Sequence, residues 1–210
     1  MTKVSVVVPI YNGKQDLPEL IECLRSQTYS TNQVEYLLVD NNSSDGSSAI
    51  IQAAANYDFQ AAELKQIIIC LLSENQIQSS YAARNAGIRT ANSEILAFTD
   101  GDCRPQPQWL ENLIQPFSDP NVGIVAGEIL ALPGDSLLEK YAEKQETLSQ
   151  KHTLANPFCP YGQTANLAIR KQAFVEVGLF RPYLTTGGDA DICWRILRET
   201  SYQLKFAEKA

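Results

Sequence analysis

The chain is expected to be an α/β protein with a mainly parallel, Rossmann-like sheet and flanking helices, on two observations. Four β-branched runs begin at residues 4, 34, 67 and 94, with helical patterns between them. Those runs are apolar along most of their length rather than alternating, as strands covered on both faces are. Strands joined through helices take right-handed crossovers into parallel sheets, and such sheets bind ligands beyond the carboxyl ends of their strands.

The first strand is VSVVVPI at 4–10. Leu17, Leu20, Ile21 and Leu24 then fall at the spacing of a helix packed on one side. VEYLLVD at 34–40 is the second strand, 47–56 a helix, IIICLL at 67–72 the third strand, 79–91 a helix, and EILAFTD at 94–100 the fourth strand. Beyond residue 105 the alternation fades. A helix is expected near 107–117, a strand over 122–130, a polar helix over 136–150 and a loop over 156–162 with Pro157 and Pro160. A strand at 166–170, a helix at 171–177, the pair Gly187-Gly188 and a helix from Asp189 complete the order. One domain over 1–210 is expected, without repeats.

The 210 residues are 44% hydrophobic, enough for one substantial core. Seventeen basic and 24 acidic residues give a net charge of −7, with no Lys/Arg cluster to track a phosphate backbone, which argues against nucleic acid as a partner. Cys23, Cys70, Cys103, Cys159 and Cys193 are odd in number and widely spaced, so neither a zinc site nor a disulfide framework is indicated, and a reducing, cytoplasmic setting fits. VSVVVPIYN is too short and Pro-interrupted for a signal peptide. No run approaches the roughly 20 apolar residues of a membrane helix, so membrane association would be peripheral or through segments outside these residues.

Polar residues collect after the strands: Tyr11-Asn12, Asp40-Asn41-Asn42 and Asp100-Gly101-Asp102. In extended chain, Asp100 and Asp102 point the same way, and Gly101 lets a ligand come close. Two such carboxylates suit Mg²⁺ or Mn²⁺ shared with phosphate oxygens. A pair of turn aspartates ahead of Pro105 and Pro107 is the other reading. Asp40, after Leu37-Leu38-Val39, can accept a ring N–H of a base or form an Asx turn, and Asp45 reads as the cap of a helix from Gly46. Asp189 follows two glycines at a positive helix end, as a general base or a cap, and Asp191 has Arg195 as an i,i+4 partner. Trp109 and Trp194 read as core, His152 as a solvated helix residue and Cys103 as an inert thiol.

VSVVVPIYNG, VDNNSSDGS, YAARNAGI, FTDGD, GQTANLAIRKQAFVEVGLF and GGDADICWR, in this order, resemble glycosyltransferase family 2 across nearly the whole chain. The resemblance implies a GT-A fold with a nucleotide-binding half (1–105) and a smaller acceptor-side region (106–210). It also implies inverting transfer from a nucleoside-diphosphate sugar, UDP-sugars favoured, with a divalent metal, Mn or Mg. The acceptor would be a glycan, a lipid-linked molecule or a protein, as in polysaccharide biosynthesis. By the same resemblance Pro9, Tyr11 and Asn12 would line the nucleoside pocket and Asp40 would bind the base. Asp100 and Gly101 would face ribose and diphosphate, Asp102 would hold the metal and Asp189 would be the base. Arg84 would hold the nucleotide or form a structural ion pair. Asn41 stands where the family often has Asp and Gly188 where it usually has Glu. The chain stops near Ala210, about where the family has a strand leading to a metal-binding His, and so reads as shortened. A non-catalytic nucleotide- or partner-binding module is the alternative function. A nucleotidyltransferase would want a glycine-rich basic loop where PIYNGKQD stands.

Overall fold

The computed structural model describes residues 3–60, 67–132, 134, 136, 140–141, 144–146 and 148–210. Seven strands form one sheet in the order β3-β2-β1-β4-β6-β5-β7. They are β1 (Val4–Ile10), β2 (Val34–Asp40), β3 (Ile68–Ser73), β4 (Ile95–Thr99), β5 (Val122–Gly127), β6 (Asn166–Arg170) and β7 (Gln203–Ala207). β6 is antiparallel to β4 and β5, and the other pairings are parallel. The helices are α1 (Leu17–Arg25), α2 (Ser47–Gln60), α3 (Ser80–Thr90), α4 (Trp109–Ile114), α5 (Gln150–Leu154), α6 (Lys171–Val177) and α7 (Gly188–Glu199).

The apolar β1 has its reason in this layering. Val4, Val6, Val8 and Ile10 join a core with Leu17, Leu20, Ile21 and Leu24 of α1 and Leu110 and Leu113 of α4. Val7 faces the opposite core, with Phe98 of β4, Ile88 of α3, Phe174 of α6 and Ile192 and Ile196 of α7. Each buried Val or Leu contributes about 1.5–3 kcal/mol, so a polar residue on either face would be costly. Ser5 is tolerated because its hydroxyl donates to Glu35 Oε1 at 2.6 Å and accepts from the Ser93 amide.

Register brings the strand ends together: Ile10 lies opposite Asp40, Asp40 opposite Ser73, and Thr99 opposite Asn166. Because β6 runs antiparallel, its first residue shares the edge reached by the last residues of β1, β2 and β4.

The first four strands and three helices lie where the sequence indicates, within a residue or two except at the end of α2, which runs to Gln60. β5 is shorter than expected and ends at Gly127, where the Glu128 amide turns to the Ala210 carbonyl and the Glu128 carbonyl is taken by Asn166 Nδ2. The helix near 107–117 divides into α4 and a 3₁₀ turn, Gln115–Ser118, at Pro116. The helix expected over 136–150 lies largely outside the described residues. β7 occupies the stretch where the resemblance expects a strand.

A Cβ on Gly87 would stand 2.4 Å from Val7 Cγ1, so α3 approaches β1 as closely as only glycine allows. Gly87→Ala is therefore expected to cost about 1–3 kcal/mol through overpacking, read as a lower urea midpoint at unchanged slope.

Candidate active site

The β1–α1 turn and the β2–α2 loop hold each other. Asn12 takes φ 51°, its amide donates to Ser43 Oγ at 2.9 Å, and its Oδ1 accepts the Ser44 amide at 2.9 Å. Pro9 is half-buried beside it and Tyr11 is 56% exposed. Asp45 binds across the same loops, Oδ1 accepting from the Ser47 hydroxyl and amide and Oδ2 from the Lys14 amide. These bonds, the Ser47 hydroxyl foremost, hold its carboxyl below its usual pKa. α2 begins at Ser47, one residue after the expected start.

Asp40 ends β2 and is only 5% exposed. Its Oδ2 accepts the Ser48 hydroxyl at 2.7 Å, while its Oδ1 is buried with no partner among the described residues. An unpaired buried carboxylate oxygen is costly in the free protein and marks a place where a donor from outside would be gained. Asn41 is fully occupied instead: its Nδ2 donates to the Glu74 and Ile77 carbonyls and its Oδ1 accepts the Ser79 amide, pinning the β3–α3 loop to the edge. An aspartate could not make the two donations, which accounts for Asn at this position.

Asp100 pairs through Oδ1 with Arg84 Nη2. Arg84 is 3% exposed, and its Nε is the other unpartnered buried atom among the described residues. The ion-pair reading of Arg84 is thus seen directly. Gly101 packs on β1, where a Cβ would stand 2.9 Å from Ile10 Cδ1 and 3.6 Å from the Pro9 carbonyl. Asp102 is exposed, with the Cys103 thiol 4.0 Å from its Oδ1. Burial pushes the Cys103 thiol up, as for an inert thiol. Arg104 fastens the loop to α1 through Asp16 at 2.8 Å and Glu19 at 2.6 Å.

Asp189 lies in the first turn of α7, behind Gly187 at φ 76°. Gly187, not Asp189, is the cap. The Asp189 side chain reaches Thr164: Oδ2 accepts the Thr164 amide at 3.2 Å and Oδ1 its hydroxyl at 3.0 Å. The turn holding Thr164 leads into Asn166 at the same sheet edge. Tyr81 joins the two sides. Its hydroxyl accepts the Gly188 amide at 3.0 Å, Arg84 lies 5.7 Å from its ring centroid, and burial, reinforced by Asp189 and weakly by Asp100, raises its pKa. Asp191 is taken by Arg195 and Arg181, each at 2.8 Å, as a structural ion pair.

The edge thus gathers Pro9, Tyr11, Asn12, Asp40, Arg84, Asp100, Gly101 and Asp102, with Asp189 tied to it through Thr164 and Tyr81. Among the described residues no group of three His, Cys, Asp or Glu side chains could hold a metal alone. An exposed Asp102 next to Asp100 does fit a hard cation that takes one or two carboxylates and completes its shell with phosphate and water. His152 is exposed and Trp109 is buried, as expected, and Trp194 is half-buried between Phe158 and Tyr161. Two cavities of about 470 and 400 Å³ open elsewhere, around Phe180–Leu184 and around Trp194 and Arg198. We weight the edge above them because the unpaired buried atoms lie there.

Ser48, Thr164, Tyr81 and the clamp under β5 and β6 escaped the sequence reading. In that clamp buried Gln150 donates to the Gly127 and Asn166 carbonyls, and Asn166 accepts Trp109 Nε1. No local pattern marks these residues, since their partners lie 8 to 107 positions away.

The family model "Glycosyl transferase family 2" matches residues 5–178. Glycosyltransferase AglE of Haloferax volcanii is 34% identical over 212 residues, covering 97% of this chain and 64% of that protein. The solved mannosyltransferase PcManGT from Pyrobaculum calidifontis, in complex with GDP-Man and Mn²⁺, superposes with a TM-score of 0.76 at 21% identity over 99% of this chain and 55% of its own. S. aureus TarS in complex with UDP-GlcNAc gives 0.73 at 18% identity, over 99% of this chain and 57% of its own. The chain therefore spans under two thirds of the length of each, and the two structures are likenesses of GT-A fold.

A Cβ on Gly188 would stand 2.5 Å from Tyr81 Cζ. Gly188→Ala is expected to lower stability by about 1–3 kcal/mol, and by measurably less in a Tyr81→Ala background, in a double-mutant cycle followed by urea unfolding.

Proposed function

The chain belongs to glycosyltransferase family 2, and from that premise we propose that it moves a sugar from a nucleoside-diphosphate sugar, UDP-sugars favoured, to an acceptor hydroxyl with inversion. The observation that carries the reading is the buried, unpartnered Oδ1 of Asp40 on the edge shared with Asp100 and Asp102. That oxygen would accept the ring N–H of the base, with Pro9, Tyr11 and Asn12 lining the nucleoside. Asp100 and Gly101 would face ribose and diphosphate, with Arg84 holding Asp100 in place.

Asp102, with Asp100 beside it, would hold a divalent metal, which when bound neutralises charge on the diphosphate. Asp189 would take the acceptor proton as the acceptor oxygen bonds to the anomeric carbon and the diphosphate leaves with the bonding electrons. Attack opposite the leaving group inverts the centre in one step, so one base suffices. Residues 1–210 would act as one catalytic domain, with a donor half over 1–105 and an acceptor half over 106–210. The acceptor is a glycan, a lipid-linked molecule or a protein. Among the described residues no helix is long and apolar enough to cross a membrane, and five free cysteines fit a reducing cytoplasm.

Titration with UDP and GDP is expected to show binding that strengthens with Mn²⁺, and Asp102→Ala should abolish the metal effect. No binding of either nucleotide, or binding indifferent to both changes, contradicts the reading. Asp189→Asn should keep the UDP Kd within about twofold while transfer falls by about 10²–10⁴. A variant as active as the wild type removes Asp189 as base, and a wild type that binds donor without any transfer favours the non-catalytic binding module.

A further inference from the structure

Asp189 is oriented by residues outside its own helix. Thr164, only 2% exposed and 25 positions earlier, supplies two donors to it, one to each oxygen. A carboxylate held at one oxygen can swing about that bond, whereas one held at both has its plane fixed, and each oxygen still keeps a lone pair for an incoming proton. The helix end beneath it is held as well. Tyr81 accepts the Gly188 amide, its ring stacks on Phe180 at 5.8 Å with 15° between planes, and Arg84 lies over it. Gly188 leaves room for that ring.

We propose that Thr164 is a positioning residue for Asp189, setting the carboxylate in the orientation that removes the acceptor proton, with Tyr81 fixing the end of α7 on which it stands. This rests on the transferase reading, in which the proton passes from the acceptor hydroxyl to an Asp189 oxygen. Placement within a fraction of an ångström governs such a transfer, and about 1 Å of misplacement can cost about 100-fold.

The test is steady-state kinetics on the full chain, following release of UDP or GDP from UDP-glucose, UDP-N-acetylglucosamine and GDP-mannose with a polyprenyl phosphate or an oligosaccharide as acceptor. UDP and GDP titrations are run beside it. Thr164→Val keeps the shape and loses the hydroxyl. It is expected to lower kcat by about 10- to 100-fold with donor KM and nucleotide Kd within about twofold, while Thr164→Ser, which keeps the hydroxyl, stays near the wild type. Tyr81→Phe keeps the ring in its stack, and its kcat is expected to fall with donor KM unchanged, which preserves the test if Thr164→Val folds poorly. Wild-type transfer with unchanged kcat in both Thr164→Val and Tyr81→Phe overturns this assignment alone, as does an equal loss in Thr164→Ser and Thr164→Val. A wild type that transfers no sugar overturns the transferase reading and this assignment with it.

Discussion

The structure depends on the parallel register of β1 between β2 and β4. β1 is buried on both faces, so the only place its neighbourhood can carry charge is the end of the sheet. The register that sets Ile10 opposite Asp40, together with Gly101 packed on Ile10, forces three polar loops to that end. Antiparallel β6 then delivers its first residue, and with it the Thr164 turn, to the same edge. Placement of the candidate site is thus a consequence of core formation.

Two polar atoms at this edge are left unpaired in an otherwise well-satisfied network: Asp40 Oδ1 and Arg84 Nε. Both belong to residues almost wholly buried, where an unmade hydrogen bond costs about 1–3 kcal/mol. Around them the supports are complete: Asn41 uses its donors and its acceptor, Asn12 bridges two loops, and Arg104 ties the Asp102 loop to α1. A local deficit inside a fully bonded frame is how a fold tolerates a site that is completed by a ligand.

Much of this was legible in the sequence, for a physical reason. The first four strands are apolar runs closed by Tyr-Asn, Asp-Asn or Asp-Gly-Asp, and both the runs and the breaks are local signals. α1 was readable from Leu17, Leu20, Ile21 and Leu24, which are all buried. Beyond residue 105 the sheet is made by partners distant in sequence, and local patterning weakens. β5 stops at Gly127 because Asn166 and Ala210 take over its hydrogen bonds, and α4 is held by a Trp109 bond to Asn166. Neither has a local signature. At the site the acidic residues announced themselves, whereas Ser48, Tyr81 and Thr164 are ordinary residues whose meaning comes only from what they touch. Gly188 shows the same: in the sequence it is a departure from a family pattern, and in the fold it makes room for Tyr81.

The account turns on the Asp40 edge being where a nucleoside diphosphate sits, with the metal on Asp102. A crystal structure with UDP and Mn²⁺, using the anomalous signal of manganese, tests this most directly. The account predicts a base ring donating to Asp40 Oδ1 and an anomalous peak on the Asp102 carboxylate that also touches the diphosphate. UDP bound in the cavity around Phe180–Leu184, or a manganese peak on other residues with Asp40 Oδ1 still unpaired, would contradict it.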